Sequence, residues 1–228
     1  TTKGGEFTYT TSLKTLEEQT ITASYAGNDK YQASEDTITF TLEKGDVIVT
    51  VDAISDVAYG GNVTITGKFT TSDGKAISNS NVKIMIDGKK YYAKTDKTGT
   101  YTLSVKTTTV GENTITAGYS GNTNYNAYET TATFNVKAAD AVVTYEPISD
   151  VTLGENVTIT GTFTDANGKA VTSSNVKITI NGKKYYAKTD STGKYTLSVA
   201  TTKEGVNNVT IGYSGSAKYN AFETSTTF

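Results

Sequence analysis

The sequence predicts an all-β chain built of tandem antiparallel β-sandwiches, and three observations carry that prediction. Apolar and polar residues alternate with a period of two through short segments, as in Val63 and Ile65 against Thr64 and Thr66. Such alternation buries one face of a strand and wets the other. Threonine, valine, isoleucine and tyrosine are abundant, while proline occurs once (Pro147) and methionine once (Met85). β-Branched and aromatic residues suit a pleated, half-buried surface. The chain also repeats itself: aligned without a gap, residues 46–134 and 140–228 agree at 57 of 89 positions.

The elements of one repeat follow in order. Val47, Val49 and Val51 open it, and Val63, Ile65 and Phe69 alternate with Thr64, Thr66 and Lys68. Val82, Ile84 and Ile86 then alternate with Asn81, Lys83 and Met85, which places Lys83 on the side facing water. Tyr101, Leu103 and Val105 follow, then Ile115, Ala117 and Tyr119, and finally Ala132, Phe134 and Val136. Asp-Gly at 73–74 and 87–88, and Asn-Gly at 167–168 and 181–182, supply the positive φ that tight hairpins demand. About seven short antiparallel strands in roughly 90 residues read as an immunoglobulin-like sandwich. With no cysteine there are no disulfides, so packing alone must hold the core.

Domain organisation follows from the repeat. Residues 46–139 and 140–228 are full copies, and residues 1–45 are the C-terminal half of another. Tyr25–Phe40 lies 94 residues before Tyr119–Phe134, and Gly5–Tyr9 aligns with Gly99–Leu103. Half a sandwich cannot bury its apolar face. The expectation is that 1–45 was cut from a longer array, the alternative being completion by a neighbouring chain. The chain carries no signal peptide and starts without methionine, as an excised or mature piece would. The connections Glu43-Lys44-Gly45 and Lys137-Ala138-Ala139 are neither Gly/Ser coils nor proline spacers. They predict a semi-rigid rod, with each domain adding roughly 40 Å.

Three stretches, Gly154–Gly161, Asn181–Val199 and Gly212–Phe228, resemble bacterial Ig-like domains. They are similar in particular to the tandem repeats of adhesin-like surface proteins of methanogenic archaea. The Tyr-x-Gly segment ending in Tyr-Asn/Gln-Ala recurs at Tyr25, Tyr119 and Tyr213. The resemblance implies an extracellular, cell-surface location and a spacer or display role in cell adhesion, and it names no ligand.

Composition excludes several classes of function. A formal charge of −2, with lysine as the only strong base, gives no case for nucleic acid. No apolar run approaches the ~18 residues of a membrane helix, so no membrane insertion is expected within this segment. The absence of histidine and cysteine removes the commonest general base and the thiol nucleophile. The recurring acids, Asp56/Asp150, Asp96/Asp190 and Glu129/Glu223, appear once per module, which is unlike an active site. No enzyme and no cofactor are expected. Calcium needs six to eight oxygens, and Glu43, Asp46 and Asp140 near the joints offer few; Thr164–Ala170 is read as a hairpin turn.

The remaining candidate sites are modest. A self-formed isopeptide would join a lysine such as Lys83, Lys177, Lys94 or Lys188 to Asn126 or Asn220, and Lys90 and Lys184 also recur. An ester version is disfavoured because the only glutamines, Gln19 and Gln32, lie in the half-repeat. Asn62, Asn156 and Asn208 begin N-glycosylation sequons. Tyr92 and Tyr186, each beside a second tyrosine, are candidate stacking platforms for a sugar. The expected function is a stalk or spacer in a surface adhesin, and the expected partners are the other repeats of the array. The alternatives are a filament subunit that pairs with copies of itself, and a carbohydrate-binding array directed at host or microbial surface glycans or proteins.

Overall fold

The structure, a computed structural model, describes residues 4–13 and 15–228. The strands are β1 (Glu18–Tyr25), β2 (Ser34–Thr41), β3 (Val47–Val49), β4 (Val57–Ala58), β5 (Asn62–Thr71) and β6 (Asn81–Ile86). They continue as β7 (Lys89–Lys94), β8 (Thr100–Lys106), β9 (Gly111–Tyr119), β10 (Tyr128–Lys137), β11 (Ala141–Val143) and β12 (Asn156–Asp165). The last are β13 (Asn175–Ile180), β14 (Lys183–Lys188), β15 (Lys194–Ala200), β16 (Asn208–Tyr213) and β17 (Phe222–Thr227). No described residue is helical.

Residues 46–139 form one sheet in the order β3-β5-β8 and another in the order β4-β10-β9-β6-β7. Residues 140–228 repeat the pattern as β11-β12-β15 and β14-β13-β16-β17. Alternation did not mark β4, two residues long and paired in parallel with Val136–Lys137. Two residues are too few to show alternation. The β1–β2 hairpin stands as a two-stranded sheet. The stretch Glu6–Tyr9 that aligns with β8 forms no strand.

The chain falls into two compact units, one of Thr1–Val51, Thr66–Thr102 and Thr116–Thr131, the other of Asp52–Ile65, Leu103–Ile115 and Ala132–Phe228. In the first, β6 and β7 pair from Asn81↔Lys94 to Ile86↔Lys89. Both turn residues between them have positive φ, Asp87 at 48° and Gly88 at 78°, the signature of a type I′ turn. Phe69 is buried, and its ring centroid lies 4.8 Å from that of Tyr119.

The second unit contains the whole core of the last repeat. Val157, Ile159 and Phe163 of β12 and Val176 and Ile178 of β13 are buried with Val209 and Ile211 of β16. Tyr195 of β15 is also buried, and its hydroxyl donates a 2.6 Å hydrogen bond to the Thr144 carbonyl. Burial pushes this phenol well above its ordinary range. Gly161 lies beneath: a Cβ there would stand 1.9 Å from the Thr144 carbonyl oxygen and 2.5 Å from the tyrosine hydroxyl. Within the first unit Tyr101, Thr50 and Gly67 repeat this arrangement, with the same 2.6 Å bond.

The octet Lys-Lys-Tyr-Tyr-Ala-Lys-Thr-Asp, at 89–96 and 183–190, is a returning strand and its exit turn. Its buried threonine stitches the backbone: Thr189 Oγ1 donates to the Val171 carbonyl at 2.8 Å and accepts from the Ser174 amide at 2.9 Å. Asp190 Oδ1 accepts from the Thr192 hydroxyl at 2.7 Å and from the Thr192 and Lys194 amides at 2.8 and 3.0 Å. The threonine hydroxyl, followed by those amides, holds this carboxyl below its ordinary value of 3.8. Asp96 is lowered in the same way by Thr98 and Thr100. A depressed carboxyl pKa stabilises the fold above the unfolded-state value, and the benefit is lost as pH falls through the folded-state value. Urea midpoints are therefore expected to hold steady from neutral pH to about pH 5 and to drop below about pH 4. Replacing Asp190 with asparagine should flatten that drop for the last repeat.

Candidate functional site

The positions where the chain enters each repeat are tied down by one recurring set of contacts. Gly45 donates its N–H to the Asn124 carbonyl and accepts from the Asn126 N–H, both at 2.9 Å. The Asn126 side chain then donates to Asp46 Oδ1 at 2.9 Å. Ninety-four residues on, Ala139 bonds to the Lys218 carbonyl and the Asn220 N–H, both at 2.9 Å, and the Asn220 amide reaches Asp140 Oδ1 at 2.8 Å. The incoming chain is thus zipped, as a single parallel bridge, onto the last loop of the repeat that it begins.

Within the second unit, Tyr59 adds an aromatic contact at this joint. Its ring meets that of Tyr219 edge-on at 5.7 Å, and Lys218 Nζ lies 5.4 Å from its centroid. Tyr59 also donates its N–H to the Lys137 carbonyl at 2.8 Å, and Lys137 Nζ pairs with Asp56 Oδ2 at 2.8 Å. The Lys137 ammonium, chiefly through that hydrogen bond, holds the Asp56 carboxyl below its ordinary value. Burial, followed by the nearby Asp165 charge, pushes the Tyr219 phenol up. Removing the side-chain clamp with Asn220→Ala is expected to cost about 1 kcal/mol or less. It should speed hydrogen exchange at the Ala139 amide while leaving the core amides of β13 unchanged.

The isopeptide candidates are distributed differently from the cross-link geometry. Asn126 and Asn220 belong to the clamp. Lys83 Nζ lies 2.5 Å from Glu129 Oε1, and Lys177 Nζ lies 3.0 Å from Glu223 Oε2. Lys94 and Lys188 end β7 and β14 with exposed side chains. The registers Lys177↔Gly212 and Gly212↔Glu223 put the pair on opposite sides of β16, with glycine between them. In the first unit, a Cβ on Gly118 would meet Glu129 Cγ at 2.6 Å. The bare glycine is what lets the acid lean across. Lys83 was expected to face water; it lies on the face of β6 opposite buried Val82, Ile84 and Ile86, its side chain 23% exposed beside the Glu129 carboxylate. Alternation assigns a face and says nothing about a neighbour two strands away. The missed signal was Lys, Gly and Glu recurring together 94 residues apart, at 83, 118 and 129 and again at 177, 212 and 223.

The other candidates lie on the surface. Tyr92 and Tyr186 are 61% and 62% exposed, while Tyr91 and Tyr185 are half-buried, each with a lysine ammonium 5.3 Å from its ring centroid. Asn62, Asn156 and Asn208 are exposed at the starts of β5, β12 and β16. In the turn at 164–170, Asp165 Oδ1 accepts from the Asn167 and Lys169 amides, both at 2.9 Å. Among the described residues, no three carboxylates gather as a metal site would require.

Comparison with solved structures returns matches at low identity. A 1.5-MDa bacterial ice-binding adhesin shares 16% identity over 93% of this chain and 73% of that one, with a TM-score of 0.36. The adhesin InvE of Yersinia pseudotuberculosis shares 17% over 80% of this chain and 58% of that one (TM-score 0.37). The fibronectin(III)-like modules of Clostridium thermocellum CbhA share 18% over 79% and 92% (TM-score 0.33). Values this low carry no functional argument. Comparison with curated proteins found no match. One family model does match, over residues 49–137, and it identifies that segment, within a chain of Ig-like β-sandwich fold, as similar to the bacterial Ig-like domain (group 3).

Proposed function

We propose that this chain is a spacer segment of an extracellular, surface-attached adhesin-like protein, and that it works mechanically by holding a binding element away from its anchor. The observation that carries this reading is the clamp at Gly45 and Ala139, built both times from the same backbone bonds and the same Asn–Asp contact. A spacer needs self-supporting units more than it needs pockets, and the recurring contact ties the entering strand of each full repeat to that repeat's own last loop. The alternation of self-contained repeats with short connections is the usual construction of such arrays.

The lack of cysteine makes the test direct. Spin labels on Ser104→Cys and Ser198→Cys, at equivalent exposed positions of the two full repeats, should give one narrow distance distribution. Tyr59→Ala combined with Asn220→Ala should broaden it without unfolding either repeat. A distribution already broad in the parent chain would overturn the spacer reading.

A further inference from the structure

Two Asn-Gly pairs lie in hairpin turns of the last repeat, Asn167-Gly168 and Asn181-Gly182, and both belong to the second unit. Such a pair can lose its side-chain amide without any enzyme. The nitrogen of the glycine attacks the asparagine Cγ, the Cγ–Nδ2 bond breaks, and ammonia leaves carrying the glycine amide proton. Water then opens the resulting succinimide at one carbonyl or the other. It returns a proton to the ring nitrogen and leaves aspartate or isoaspartate. Glycine has no Cβ to hinder the attack, so the step turns on whether Cγ can swing onto that nitrogen.

The two side chains are held differently. Asn181 lies on the surface, yet its Nδ2 donates to Asn207 Oδ1 at 2.6 Å and its Oδ1 accepts from the Asn208 N–H at 3.0 Å. Asn207 is 5% exposed and cannot turn over, because its own Nδ2 donates to the Lys203 and Gly205 carbonyls at 3.3 and 2.7 Å. The Asn181 N–H is tied to the same strand, reaching the Asn208 carbonyl at 2.9 Å. Swinging Cγ toward Gly182 would break both side-chain bonds and strip the buried Asn207 oxygen of its donor. Asn167 is exposed, and among the described residues its side chain has no hydrogen-bond partner. Its turn is held instead by the Asn167 N–H on Asp165 Oδ1 and by the Gly168 N–H on the Asp165 carbonyl, both at 2.9 Å. The second of these occupies the attacking nitrogen, but a single bond in an exposed turn opens often. The Asn181 contacts release only when their turn leaves β16.

We propose that Asn167 is a site of spontaneous deamidation and isoaspartate formation, and that Asn207 and Asn208 lock Asn181 against the same reaction. The change is not neutral for the turn. In the first unit the counterpart of Asn167 is Asp73, whose carboxylate accepts from the Thr71 hydroxyl. The Thr71 position is Asp165 in the last repeat, so a carboxylate formed at 167 has an acid where Asp73 has a hydroxyl. The isoaspartate form also adds a carbon to the backbone between Asp165 and Gly168, which the 2.9 Å turn bond between them cannot accommodate unchanged. The inference does not rest on the spacer reading.

The test is to hold the full chain at mildly alkaline pH, cleave it after lysine and follow both sites by mass spectrometry. Fragments 138–169 and 178–183 report them separately, and chromatography resolves aspartate from isoaspartate. Asn167 is expected to convert at least about tenfold faster than Asn181 in the folded chain. In concentrated urea, where both side chains are free, the two rates should come within about threefold of each other. Asn207→Ala should speed conversion at Asn181 by at least about fivefold and leave Asn167 unchanged. Equal rates in the folded chain, or faster loss at Asn181, would overturn the proposal. So would a ratio that persists unchanged in urea, since it would then come from the preceding Ala166 and Ile180 and not from the fold. The comparison of folded chain with urea needs no substitution, so it decides the matter even if Asn207→Ala unfolds the repeat.

Discussion

Replacing Gly161 with alanine is expected to destabilise the last repeat by on the order of 3–5 kcal/mol, the range of a backbone clash in a packed core. The added methyl would stand 1.9 Å from the Thr144 carbonyl oxygen, closer than any relaxed contact allows. It would also stand 2.5 Å from the Tyr195 hydroxyl, so the buried hydrogen bond between those groups must break or lengthen. Neither neighbour can swing aside, since one is backbone and the other is a buried ring. Truncating the ring with Tyr195→Ala would not rescue the variant, because the carbonyl clash remains. A loss of that size approaches the whole stability of a small domain. Urea denaturation with one reporter in each full repeat should show the last repeat melting early and residues 46–139 nearly unchanged. Gly67→Ala should reverse the assignment.

Phe163→Ala is expected to cost about 3–5 kcal/mol, as deletion of a fully buried aromatic side chain typically does. Phe163 has no solvent exposure and packs against Tyr213 at 4.8 Å and Tyr219 at 6.3 Å between ring centroids. The cavity would therefore open beside the loop that holds Ala139. Calorimetry on the full chain should show one lowered transition. Hydrogen exchange at Ala139 should rise more than it does in Asn220→Ala, because Tyr219 itself loses support. A lowered transition with an unchanged Ala139 amide would show that the clamp is held by backbone bonds alone.

Strands and tight turns were legible from the sequence because both are local. Val63, Ile65 and Phe69 declare one buried face by parity, and Asp87-Gly88 declares its turn by the backbone that glycine permits. The repeat register at 94 residues was legible for the same reason that it is exact, as it needs no structural inference. The clamp was not legible: Asn126 and Asp46 are 80 residues apart, and Asn126 was read as a cross-link candidate. The ion pair of Lys83 with Glu129 was not legible for a related reason. The parity of Lys83 is correct, but Glu129 lies across an intervening glycine. Side chains on separate strands meet only through sheet order, and periodicity does not contain sheet order.

The clamp also has a consequence for the order of events during synthesis. Asp140 begins the last repeat, and the amide that holds it, on Asn220, arrives 80 residues later. A repeat made from its N-terminal end cannot fix the link behind it until its own final loop has emerged. The joint at Ala139 therefore stays loose through nearly the whole making of the repeat that follows it, and sets when that repeat closes. Neighbours that agree at 57 of 89 positions are prone to exchange strands while both are unfolded. Delaying the joint until each unit is complete keeps that window to one unfinished repeat at a time.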